Sequence, residues 1–230
     1  MADATPPFFT RKINMDRIIT SYCHIRNHKV VVNDRIIFYQ ENILNFADFI
    51  KSVFKQEEIV YPKFYKMDSL SKLGFLAAEL ILKDNRIAGY RSDSVGVVLS
   101  NSSASLETDI AHNETIKDRS AYFPSPSVFV YTLPNIVIGE ICIKHKIKGE
   151  NAFLVSESFN SRLLLDYVNE LFDSNRVDAC LCGWVEVLGK NFDALLMLVE
   201  KNDPALKMSV SGIEPVLFSA DNLNLLMNRN

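Results

Sequence analysis

The sequence predicts an α/β protein in which a mostly parallel sheet of five strands is flanked by helices on both faces. Three observations lead there. Strand-like and helix-like patterns alternate from Arg17 to Glu186, and a further strand pattern then follows directly. Hydrophobic residues make up 48% of the 230 and include 15 Phe, ample for a bulky core in one large domain or two small ones. No internal repeat or low-complexity stretch breaks the pattern.

The elements follow in order. "RIITSYCHI" (17–25) reads as a buried strand, and "KVVVNDRIIFYQ" (29–40) as a hairpin turning at Asn33-Asp34. "NFADFIKSVFKQ" (45–56) sets Phe46, Phe49, Ile50 and Phe54 at helical spacing. "YPKFYKMD" reads as a loop, and the wide apolar face of 69–83 predicts a well-buried helix. "SVGVVLSN" (94–101) is a central strand, followed by a helix over 105–118 with Ser105 as its cap. After the "FPSPS" loop (123–127), 128–149 reads as two helical pieces broken near Pro134 and stopped at Gly149. "NAFLVS" (151–156) is a strand, 159–174 a helix, and 177–189 and 192–201 are strands close enough to pair antiparallel. The division expected is an N-terminal arm (1–16), a main domain (17–203) and a tail (204–230) that wraps over the core.

A formal charge of −3 without a dense Lys/Arg block gives no electrostatic case for nucleic acid. The N-terminus lacks the apolar stretch of a signal peptide, and no run approaches the ~20 apolar residues of a membrane span. Cys23, Cys142, Cys180 and Cys182 lie in apolar stretches and read as reduced, buried thiols, in keeping with a cytoplasmic protein. Cys180 and Cys182 share one strand face, but no second pair follows at metal-ligand spacing, so neither metal nor cofactor is expected.

The informative stretch is "FLVSESFNSRLLLDYVNELF" (153–172), a strand that runs through a polar knot into an amphipathic helix. Such a turn aims a side chain at a helix N-terminus, where acyl-transferring enzymes place nucleophiles. Ser158 reads three ways: a helix cap or small filler, an acyl-accepting serine, or a polar contact near a partner's site. Glu157 points away from it along an extended turn, and no base is apparent. His24 and His28 flank the first strand, His112 lies on a helix and His145 precedes Gly149, which leaves none placed as a base.

Ser125-Pro126, Asn135, Gly139, Gly149, the strand 151–156 and "VDACLCGWVE", with Asp178, Gly183 and Glu186, resemble the N-terminal half of β-ketoacyl synthases. "MDSLSKLGFLAAELILKD" and "VGVVLSNS" are similar to that family's early helix and second strand. The resemblance covers most of 17–200 and implies half of a thiolase-like fold. It puts Ser158 in the place of the nucleophilic cysteine, whose thiolate a serine hydroxyl replaces only with an adjacent base. Glu157 replaces a small residue, Asn160-Ser161 a Ser-Gly pair and Trp184 a second glycine. The family's histidine-bearing second half has no counterpart.

The resemblance narrows to nucleophile-free chain-length factors, and among these to short ones associated with aryl polyene and flexirubin-type pigments. It implies a binding and gating subunit paired with a full-length β-ketoacyl synthase as a heterodimer, or a homodimer, with acyl carrier protein as a further partner. The implied interface is Ala152, Phe153, Leu154, Val155 and Ser156 with Val128 and Phe129; the implied acyl-tunnel gate is Leu106, Thr108, Asp109 and Ile110. Two readings compete: a Ser158-dependent acyltransferase or hydrolase, against which no Ser/His/Asp set is found, and a free-standing protein binding an acyl carrier or apolar ligand.

Overall fold

A computed structural model describes residues 17–41, 45–118, 120, 123–202 and 214–229, so the arm 1–16 lies outside the described residues. Eight strands form one sheet: β1 (Arg17–Arg26), β2 (Lys29–Val32), β3 (Arg35–Tyr39), β4 (Val95–Asn101), β5 (Asn151–Val155), β6 (Ala179–Leu188), β7 (Asn191–Lys201) and β8 (Val216–Leu217). Their order is β3-β2-β1-β7-β6-β4-β5, with β8 pairing β1. Among the described residues only β4–β5 and β4–β6 are parallel. The expectation of a mostly parallel five-stranded sheet is therefore corrected to an eight-stranded mixed one.

The reason lies in the turns. Both residues of Asn27-His28 and of Asn33-Asp34 adopt positive φ (52°, 57°, 51° and 63°), the geometry that closes a two-residue hairpin with the correct twist. The second turn falls where the sequence puts it; the first makes β1 itself a hairpin partner. In the β6–β7 turn Gly189 alone takes positive φ, at 62°. Parallel pairing survives only where helices fill the crossover.

Helices cover both faces, as the alternation predicts. On one side α1 (Phe46–Gln56), α2 (Ser69–Ile81) and, later in the chain, α5 (Ile136–His145) bury Phe49, Phe75, Leu76, Ile138 and Ile141 against Val97, Leu99, Leu181 and Leu196. On the other, α6 (Ser161–Asp173) and α7 (Ala220–Met227) bury Leu164, Val168, Leu223 and Leu226 against Ile19, Val98, Cys180, Cys182 and Met197. Cys180 and Cys182 do share a face, and all four cysteines are free. Burial pushes the Cys142 thiol up to about 11 and the Cys23 and Cys182 thiols higher still, which makes them unreactive.

Between β4 and β5 lie α3 (Leu106–Ile116) and α4 (Pro126–Phe129), the latter extended by a 3-10 turn over Val130–Thr132. The chain then bends by 96° into α5, the break expected near Pro134. Buried Glu140 holds the bend, accepting from the hydroxyls of Tyr61 (3.1 Å) and Tyr131 (3.4 Å) and pairing with Lys63 at 2.6 Å. Three local expectations change. The "YPKFYKMD" segment contains a 3-10 turn at Pro62–Lys66. Ser105 sits at the α3 cap position, but its hydroxyl donates to the Thr132 carbonyl at 2.7 Å instead of accepting from the helix. The α5 helix stops at Lys146, in left-handed conformation, three residues before Gly149. Gly149 serves packing: a Cβ there would lie 2.3 Å from the Val95 carbonyl oxygen. Among the described residues no single helix is long and apolar enough to cross a membrane.

The tightest approach in the sheet is at Gly183, where φ is +153° and a Cβ would fall 1.9 Å from the Leu195 carbonyl oxygen. Gly183→Ala is expected to lose at least about 1–3 kcal/mol, the range for a strained backbone position, measured by urea unfolding. An alanine variant of wild-type stability would show that β6 and β7 are free to separate there.

Candidate functional site

The site lies at the C-terminal ends of the parallel strands, where open α/β sheets bind ligands. The β4 strand ends at Asn101, whose side chain bridges the Ala104 carbonyl (2.8 Å) and N–H (3.0 Å) and so closes the loop into α3. Glu186, at the end of β6, holds the same loop. One of its oxygens accepts from Ser102 N (2.7 Å), Ser102 Oγ (2.8 Å) and Ser103 N (3.2 Å), and the other from Ser103 Oγ. At the β6–β7 turn, Gly189 N donates to Glu107 Oε2 at 2.9 Å and fixes the start of α3.

Ser158 lies beyond β5 in a bend before α6, and it does not cap that helix. Asn160 does, its Oδ1 accepting from Leu163 N at 2.9 Å, while Ser161 is buried in the first turn. The Ser158 carbonyl accepts from Ser156 Oγ at 2.8 Å, and its hydroxyl has no hydrogen-bond partner among the described residues. The chain bends here, and Glu157 and Ser158 both line a cavity of about 470 Å3 with Arg26, Phe159, Trp184, Glu186 and Asp193. Trp184 is buried as the floor, edge-on to Phe159 with ring centroids 6.1 Å apart. Residues of α7 (Asn224, Met227) close the remaining side.

Three carboxylates and Arg26 line the same cavity, and two of the carboxylates are already engaged. Glu186 holds the loop above, and Asp193 accepts from Arg26 at 3.0 and 2.6 Å and faces His24 Nε2 at 3.3 Å. Burial pushes the Asp193 carboxyl up, but the hydrogen bonds from His24 and Arg26 and the Arg26 charge outweigh it, so it is held below the ordinary carboxylate range. A hydroxyl with no base hydrogen-bonded to it is a weak nucleophile. No histidine lines this cavity: His24 lies within β1 behind Asp193, His28 packs edge-on to Phe49 and Phe192, His112 packs on Phe129, and His145 pairs with Glu79 at 2.6 Å. Among the described residues no group of three or more His, Cys, Asp or Glu is arranged to hold a metal.

The remaining sequence-derived positions separate into surface and scaffold. Among the described residues β5 pairs only with β4, leaving Ala152, Phe153 and Leu154 half-buried and Val155 55% exposed on an open sheet edge. Ser156 extends the edge, its N–H donating to the Asn101 carbonyl at 3.0 Å. Val128 is half-buried, and Phe129 is 61% exposed. Along α3, Leu106, Asp109 and Ile110 are exposed, whereas Thr108 is buried and donates to Asp68 Oδ2 at 2.8 Å. Pro126 opens α4, capped by Ser125, and Asn135 stands before α5 with its side chain unbonded to the helix. Gly139 meets open space, and Asp178 pairs with Lys201 at 2.7 Å. Sequence reasoning missed Arg26, Asp193 and the α7 residues at the site. Charged residues ending otherwise apolar strands were the only signal, and the register that joins them was not readable.

No protein-family model matches the sequence, and no curated protein matches it significantly. Solved structures do. The ishigamide ketosynthase/chain length factor superposes with a TM-score of 0.59 at 18% identity, over 80% of this chain and 62% of that one. A type II polyketide synthase acyl carrier protein in complex with its ketosynthase bound to the hexaketide (AntDE:AntF) gives 0.62 at 13%, over 86% and 66%. The ketosynthase ApeO in complex with its chain length factor ApeC, from Xenorhabdus doucetiae, gives 0.52 at 13%, over 83% and 81%. The fold is the thiolase-like fold of ketosynthases and chain length factors. This chain spans less than two thirds of the first two matched chains.

The geometry predicts an acid response. A depressed carboxyl stabilises the fold above its unfolded pKa, near 3.9 for Asp, and loses that contribution as pH falls through the lower folded value. Asp193→Asn is expected to lose about 1–3 kcal/mol at neutral pH, as for a charged hydrogen bond, and to show a shallower fall below about pH 4. Urea unfolding across that range measures it, and parallel acid limbs for the two proteins would contradict the assignment.

Proposed function

We propose that the chain is a non-catalytic, ketosynthase-like subunit that pairs with an active β-ketoacyl synthase and shapes its acyl tunnel. The pathway class is fatty-acid or polyketide biosynthesis of aryl-polyene-like type, in the cytoplasm. The observation that carries this is Ser158, set at the strand-to-helix turn of this fold with no base or other partner hydrogen-bonded to its hydroxyl among the described residues. In this reading 17–203 is the ketosynthase-like unit and 204–230 the tail; 204–213 lie outside the described residues, and 214–229 pack on the unit through β8 and α7.

An open edge strand with exposed apolar side chains supports a pairing role, since proteins cover such edges. The proposed interface is the β5 edge, Ala152 to Ser156, continued by Val128 and Phe129. The test is co-expression with each ketosynthase of the same genome, with assembly measured by light scattering. Purified alone, the chain is expected to give no condensation from an acyl thioester and a malonyl carrier, and Ser158→Ala is expected to change nothing. Val155→Lys, at an exposed edge position, is expected to weaken assembly by at least about tenfold, or ~1.4 kcal/mol. Turnover by the isolated chain that Ser158→Ala abolishes would establish an acyltransferase instead. Tight acyl-carrier binding by a lone monomer that ignores every ketosynthase would establish a free-standing binding protein.

The gate role rests on the outward residues of α3. A growing acyl chain gains about 0.8 kcal/mol per buried methylene until the tunnel end is reached, after which overpacking costs about 1–3 kcal/mol. In this reading the exposed Leu106 and Ile110 supply that stop, with exposed Asp109 beside them, whereas Thr108 is tied inward to Asp68. Ile110→Ala is expected to lengthen the products of the reconstituted pair, and Leu106→Trp to shorten them. The readout is mass spectrometry at matched complex concentration, and an unmoved distribution with normal assembly removes the role.

A further inference from the structure

A second cavity lies beside the first, and its wall is cationic. The turn at Asn27-His28 sets Arg26 directly opposite Lys29. Like charges facing each other across an antiparallel pair destabilise it. The conflict is only half relieved. Asp193, opposite Arg26 on β7, takes that guanidinium in a two-pronged contact. Lys29 is half-buried and has no ion-pair partner among the described residues.

Arg229, just past α7, brings a third permanent cation to the same place. Its Nη1 donates to the Tyr22 hydroxyl at 2.9 Å and to Asp34 Oδ1 at 2.5 Å. Tyr22, His24, Arg26, Lys29, Asp34 and Arg229 together line a cavity of about 200 Å3. Three permanent cations thus meet one lining carboxylate, with Asp193 behind Arg26, in a chain whose formal charge is −3. Burial, with Asp34 adding to it, pushes the Tyr22 phenol up to about 12, so it stays protonated. Foldable sequences keep such local conflicts chiefly where function requires them.

We propose that this cavity binds a phosphoryl oxyanion, as free phosphate or as the phosphate end of a small molecule, held by Lys29 and Arg229 with Arg26 at its back. Guanidinium and ammonium groups are the usual partners of phosphoryl oxygens, and an anion between Lys29 and the two arginines removes the repulsion. The site is independent of the pairing role above.

The test is thermal unfolding and phosphorus NMR titration of the full chain, at constant ionic strength set with sodium chloride. The probes are inorganic phosphate, glycerol 3-phosphate and acetate. Phosphate is expected to raise Tm saturably, with acetate much weaker. Lys29→Gln is expected to raise Tm in chloride alone, by relieving the repulsion, and to weaken phosphate about tenfold. Arg229→Gln is expected to weaken it likewise, and Lys190→Gln, in the exposed β6–β7 turn, to leave it unchanged. Glycerol 3-phosphate binding more tightly than phosphate marks a phosphorylated small molecule as the ligand, and equal binding marks free phosphate. Equal Tm in phosphate and chloride, acetate matching phosphate, or Lys29→Gln binding phosphate like wild type would each overturn the proposal.

Discussion

Strand β6 is buried on both faces and paired along both edges, parallel to β4 and antiparallel to β7. Its alternate side chains serve two separate cores: Leu181 and Val185 pack under α2 and α5, while Cys180 and Cys182 pack under α6 and α7. A strand so enclosed cannot shift register without turning both sets of side chains the wrong way. Gly183 makes the packing possible, since any Cβ would strike the Leu195 carbonyl, and its own carbonyl accepts from Ser100 Oγ at 3.0 Å. The site inherits this rigidity. Trp184 and Glu186 leave the same strand, one as the floor of the cavity and the other as the clasp on the loop into α3.

Polar groups collect where β6, β7 and β1 emerge from the two cores. Register places Lys29, Arg26, Asp193 and Glu186 in one row across four strands. The row changes sign between Arg26, which lines both cavities, and Asp193, which lines only the first. On the β6 side, carboxylates and an unassisted serine make a poor place for a thioester reaction. On the hairpin side, cations outnumber carboxylates. Neighbouring cavities of opposite character therefore follow from one cross-strand register and two tight turns.

The outer surface follows the same logic. The β4–β5–β6 crossovers leave β5 with a single neighbour, and Glu140 fixes the bend that turns Phe129 outward. An apolar edge of this kind is a liability in isolation. It is also continuous in sequence with the turn bearing Ser158, so a partner covering the edge would approach that turn.

The sequence by itself determined the α/β character with helices on both faces, the helices from α1 to α6, the break near Pro134, the shared face of Cys180 and Cys182 and the placement of Ser158 between a strand and a helix. These are local properties, written in periodicities of two and 3.6 residues and in turn residues such as Asn33-Asp34. It misjudged the sheet, because parallel or antiparallel pairing depends on which strands become neighbours, and the Asn27-His28 turn offered only a weak local signal. Of the three readings it left open for Ser158, the cap falls to Asn160, since a bend of two residues decides which oxygen reaches the helix N–H groups. Only the tertiary structure brought Arg26 to Asp193, 167 residues apart, and laid α7 against Ser158. Such contacts arise from register and burial across the whole sheet, for which no local stretch of sequence contains a marker.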